Sequence, residues 1–169
     1  MMIGKTRIPR GYRNNNPLNI RKTGERWQGQ VVGNDKEFCT FENLVYGWRA
    51  ALIILMRTYR KRGLKTIKEI IEHWAPDNEN DTEAYIRNVV KLTGLPQDKK
   101  LQMADYQPVV KAMARFENGF LNDEGLSTAY IMVTNGLGDG EGRCPGCLEV
   151  EPACNAIDIE NLSSEIDVG

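Results

Sequence analysis

The chain has 169 residues, 41% of them hydrophobic and 27% charged, with a formal net charge of -1. That length and composition suit one globular domain, or one domain with a tail, and exclude a fibrous or low-complexity chain. No apolar run approaches the roughly 20 residues a membrane-crossing helix needs, and the start lacks the apolar stretch of a secretory signal, so synthesis in the cytoplasm without a signal peptide is expected.

The net charge conceals an asymmetry. Divided after Leu121, the first part carries 21 Lys and Arg against 13 Asp and Glu, the remainder 1 against 10. A basic body suits an anionic polymer such as nucleic acid or cell-wall material, and equally an ordinary solvated surface. No nucleic-acid-binding motif accompanies it, and no nucleic-acid partner is expected.

The first distinctive stretch is "RGYRNNNPLNIR", Arg10 to Arg21. Asn competes for its own backbone and favours turns, so this run predicts a loop and not a helix. Its amides both donate and accept, which suits a sugar or amide ligand as well as a tight turn. "RWQGQVV" and "KEFCTF" are β-prone runs separated by "GND" and predict a small hairpin. Leu44 to Tyr59 is apolar around most of its circumference and predicts a buried central helix, closed by Gly63.

"TIKEIIEHW" opens with Thr66 three residues before Glu69, a capping box, and places Ile67, Ile70, Ile71 and Trp74 on one side of a short helix stopped by Pro76. Asp81 is the expected N-cap of the next helix, which ends at Gly94. A fourth helix starts at Asp105, tolerates Pro108 in its first turn and closes at Gly119; "EGLSTAYIMV" predicts a fifth. The fold class is therefore mainly α with a small β-hairpin. Residues 1–134 form the domain, and 135–169 are expected to be an acidic, Gly- and Cys-containing tail without ordered structure.

The chain contains no Walker loop, HExxH, GxSxG or dinucleotide fingerprint. Cys39, in an alternating strand, reads as a small buried residue. Cys144, Cys147 and Cys154 could be half a zinc site, a redox pair or incidental tail residues; the second CxxC of a zinc site is missing, and no metal or other cofactor is expected. His73 beside Trp74 reads as a structural histidine. Carboxylate chemistry remains. "FENG" puts Glu117 at the end of an apolar helix, between Phe116 and Phe120, the partly dehydrated setting in which a general acid works.

"RGYRNNNPLNIR", "WQGQ", "YGWRAALIILMRTY" and "IIEHWAPDNENDTEAYIRNV" resemble, in that order, a family of phage and prophage proteins often labelled virion structural proteins, across roughly residues 10–120. The resemblance implies a lysozyme-like fold acting on peptidoglycan. The same order is similar to the glucosaminidase domains of bacterial autolysins with one displacement: "AMARFENGF" looks like their catalytic helix, moved from the beginning to the end. A circularly permuted lysozyme-like fold follows as an expectation, permutation being cheap when the original termini lie close together.

On that resemblance Glu117 is the general acid and Tyr85 supports the reacting centre. Asn14, Asn15, Asn16, Asn19, Arg21 and Asn80 bind saccharide, while Trp27 and Trp74 offer aromatic faces to sugar or pack the cleft. The implied function is cleavage of peptidoglycan glycan strands, by a lytic transglycosylase or a muramidase or glucosaminidase, delivered to the wall by a phage particle or by lysis or export machinery. The alternative is a noncatalytic virion or wall-binding protein of the same fold, with other virion proteins as partners.

Overall fold

The computed structural model describes residues 7–78 and 81–137. Asn80, the three clustered cysteines and most of the expected tail lie outside the described residues. The elements are α1 (Arg10–Arg13), β1 (Gln30–Val31), β2 (Thr40–Phe41), α2 (Leu44–Ile53), α3 (Ile67–Trp74), α4 (Thr82–Thr93), α5 (Tyr106–Asn118) and α6 (Leu126–Leu137). A π-helical stretch, Ile54–Tyr59, continues α2, and a 3-10 turn, Met103–Asp105, precedes α5. The fold is mainly helical with one two-stranded antiparallel sheet, in which Gln30 faces Phe41 and Val31 faces Thr40.

The helix ends follow local chemistry. Asn43 accepts from the Tyr46 N–H, Asp81 accepts from the Ala84 N–H, and Thr66 and Glu69 cap each other reciprocally. Gly94 and Gly119 close α4 and α5 with left-handed backbones, which glycine adopts without a Cβ clash. The fifth helix runs to Leu137, so the expected domain boundary after residue 134 falls within its last turn.

α2 is the axis of the core, with α6 laid along it, while α4 packs between α3 and α5. Trp48, Leu52, Ile53, Leu55, Ile70, Tyr85, Val109 and Met113 are buried almost completely. Burying each large apolar side chain contributes about 1.5–3 kcal/mol before entropy is counted. The Trp48 indole also donates to the Glu124 carbonyl at 3.0 Å, tying the approach to α6 onto α2.

Two features depart from the sequence expectation. "RGYR" forms a helical turn before the Asn run, and the hairpin is only two residues deep on each side. The second strand and the residues leading into it also pair with the Asn loop and its continuation: Cys39 N–H donates to the Ile20 carbonyl, Phe41 N–H to the Asn14 carbonyl, and Lys22 N–H to the Glu37 carbonyl. Gly47 in α2 makes room for this loop. A Cβ built there would overlap the Asn15 carbonyl and press on Pro17. Gly47→Ala is expected to destabilise the fold by about 1–3 kcal/mol through overpacking, readable as a lower midpoint in urea denaturation.

Asp35, in the hairpin connection, is an anchor that its place in "GND" did not announce. Its carboxylate takes two bonds from Arg10 (2.6 and 2.7 Å), one from the Asn14 amide (3.0 Å) and the N–H groups of Glu37 and Phe38. The Arg10 guanidinium, aided by these donors, holds the Asp35 carboxyl far below its ordinary 3.8. A group depressed in the folded state adds stability above its unfolded pKa and loses it as pH falls. Stability is therefore expected to decline below about pH 4, and Asp35→Asn should lower the melting temperature at pH 7 while flattening that acid decline.

Candidate active site

Four residues named from the sequence meet at one carboxyl. Glu117, in the last turn of α5, accepts from the Asn19 amide at 3.2 Å on Oε1, and from the Tyr85 hydroxyl at 3.0 Å and the Trp74 indole at 3.3 Å on Oε2. These donors come from the Asn loop, from α4 and from the end of α3. Glu117 itself is half-buried.

Each donor is fixed from behind. Tyr85 is buried, its ring stacked on Phe116 with centroids 4.1 Å apart. Burial first, and the neighbouring Glu117 second, push its phenol well above the ordinary range, so it remains a protonated donor. Trp74 meets the edge of Tyr59 at 6.3 Å, and Tyr59 also meets His73 edge-on at 5.0 Å. Tyr59 is the last residue of the π-helical stretch. Widened turns of this kind are rare and concentrate at functional sites, and the sequence pattern gave no sign of this one.

Asn19 is held by its backbone. Its φ of 53° lies in the left-handed region, as does the 52° of Asn15, and Asn tolerates that region better than other non-glycine residues. With Nδ2 committed to Glu117, the buried Oδ1 of Asn19 has no hydrogen-bond partner among the described residues. An unmet buried acceptor costs about 1–3 kcal/mol.

The other expected ligand-binding residues are used differently. Asn16 is fully buried: its Nδ2 donates to the carbonyls of Ile20 and Cys39, and its Oδ1 accepts from the Ile20 N–H. Asn14 is spent on Asp35 and Thr40, and Asn15 on the Phe41 carbonyl. These three amides build the loop that presents Asn19. Arg21 is exposed, pairs with Glu37 at 3.2 Å and lies over the Phe38 ring. Trp27 is 8% exposed and belongs to the core, leaving no face for a ligand. Phe116 and Phe120, expected to shield the carboxyl, are instead 39% and 43% exposed.

Cys39 is buried, and desolvation pushes its thiol up to about 12, which leaves it inert as a nucleophile. Among the described residues no group of three or more His, Cys, Asp or Glu is placed to hold a metal ion.

Fold and site thus define a small, mainly helical domain with a minimal hairpin and a single carboxyl gripped by three neutral donors. No known family model matches the chain. It is 47% identical over 115 residues to Protein P5 of Pseudoalteromonas phage PM2, an alignment covering 65% of this chain and 71% of that protein. The chain belongs to the family of that phage protein. No helix among the described residues is long and apolar enough to cross a membrane.

The grip on Glu117 has a measurable energy. In a double-mutant cycle of Tyr85→Phe with Glu117→Ala, followed by urea denaturation, a coupling of about 1 kcal/mol or more is expected. Simple additivity of the two changes would mean that the bond contributes nothing.

Proposed function

We propose that this chain is a phage enzyme that cleaves the glycan strands of peptidoglycan, with Glu117 as its general acid. The observation carrying this reading is the convergence of Asn19, Trp74 and Tyr85 on that one carboxyl. Three neutral donors orient the group and steady the carboxylate it becomes after giving up its proton. Oε2 already accepts two bonds, so Oε1 is the oxygen that delivers the proton to the glycosidic oxygen.

The lysozyme-like, circularly permuted arrangement belongs to the same proposal. Its support is the contact between the end of α5 and the start of the domain: the Asn118 amide donates to the Pro17 carbonyl at 2.8 Å, and the Tyr12 hydroxyl accepts from the Asn122 N–H at 2.9 Å. A catalytic helix that once preceded the Asn loop in sequence would end in this place. Residues 1–134 are the catalytic unit on this reading, and the phage particle or lysis machinery carries it to the wall.

Hydrolysis by two carboxylates needs a second acid within about 5–9.5 Å of the first. Several candidates are engaged elsewhere. Asp81 caps α4, Glu83 faces Arg87, and Asp123 pairs with Lys111. Intramolecular attack needs none. Glu117 protonates the leaving oxygen, the 6-hydroxyl of muramic acid bonds to C1 as the glycosidic bond breaks, and the hydroxyl proton returns to Glu117. The product is a 1,6-anhydro sugar, formed without water.

The test is digestion of purified sacculi with mass analysis of the fragments. Anhydromuramyl ends are expected, and Glu117→Gln should fold normally and lose about 10²–10⁴ in rate. Entry of labelled water oxygen at the new reducing end would establish hydrolysis and send the search for a second carboxylate back to Asp81, Glu83 and Glu42. The kinship with a phage protein also supports a noncatalytic virion or wall-binding role. Binding to sacculi with no fragment released would decide for that role.

A further inference from the structure

Phe116 and Phe120 flank Glu117 in the chain, and both keep a large share of their rings in water. Neither hangs loose. Phe116 lies nearly parallel to Tyr85, at 22° between the ring planes, and the hydroxyl of that tyrosine ends on Glu117. Phe120 leans on Tyr12 with centroids 5.1 Å apart, and the Tyr12 hydroxyl is fastened between the Phe120 carbonyl and the Asn122 N–H. Each exposed ring is backed by a tyrosine whose hydroxyl is occupied. One tyrosine therefore fixes both the carboxyl and the aromatic surface beside it.

We infer that Phe116, with Phe120 near it, is the platform on which a pyranose ring of the substrate stacks while Glu117 acts on the adjoining bond. The inference rests on the glycan-cleaving reading of Glu117 and adds a binding surface to it. The chemistry that recognises such a pair is specific. A pyranose presents a flat face of C–H groups with partial positive charge, which suits the negative face of an aromatic ring, while its polar groups point outward in its plane. Of the residues first expected to offer a face to sugar or pack the cleft, Trp27 lies in the core, and the Trp74 indole N–H donates to Glu117.

The experiment uses the full chain carrying Glu117→Gln, so that bound glycan is not consumed. The probes are a chitin-type oligosaccharide of N-acetylglucosamine and solubilised glycan strands, measured by titration calorimetry. Phe116→Ala is expected to weaken binding roughly ten-fold, and Phe116→Trp to restore it. The new indole should also change its fluorescence as saccharide is added. Phe116→Ala binding as tightly as its parent, in a chain that still cleaves sacculi before Glu117 is changed, would overturn the platform and leave the enzymatic reading standing. Failure of the parent to bind either probe, together with intact sacculi after wild-type treatment, would overturn both.

Discussion

Asn118 follows Glu117 directly, and its amide closes two bonds at once, to the Ala114 carbonyl one turn back in α5 and to the Pro17 carbonyl in the Asn loop. That clamp fixes the end of the helix against the loop. With the seat of the loop on α2 and the Tyr12 bonds, it gives Asn19 and Glu117, 98 residues apart in sequence, a shared frame. The clamp depends in turn on close backbone approach. Gly11 leaves space for the Asn118 amide, and Gly47 lets the loop lie on α2. The candidate site is thus a junction of secondary structure, and its precision comes from backbone carbonyls and not from the flexible ends of long side chains.

The helices were legible because their signals are local. The capping box at Thr66 and Glu69, Asp81 at the start of α4 and Gly119 at the end of α5 all act within four or five residues, and the structure places them as the sequence pattern does. Glu117, Tyr85, Trp74 and Asn19 could be named through resemblance, but nothing local showed that they meet. The rest of the Asn run was harder. Its amides have the same chemistry whether they face a ligand or a neighbouring carbonyl, and only the path of residues 37–41 beside the loop decides that Asn14, Asn15 and Asn16 are structural. Asp35 shows the same limit. A turn aspartate in sequence becomes an anchor because Arg10, 25 residues earlier, arrives beside it.

The arrangement also separates two kinds of work within one short motif. In "RNNNPLNIR" the first three asparagines hold the loop together, the proline and Leu18 seat it on the core, and the last asparagine is presented at the carboxyl. Construction precedes presentation along the chain. Substitutions early in the motif should therefore be felt as folding defects, and those at its end as changes in the chemistry of Glu117.

Asn19 carries two local costs, a left-handed backbone and an acceptor with no donor among the described residues. Such costs are tolerated where an alternative residue would fail at a task other than folding. Heat tolerance alone would favour glycine here, which adopts the left-handed backbone freely and buries no amide, at the loss of the bond to Glu117.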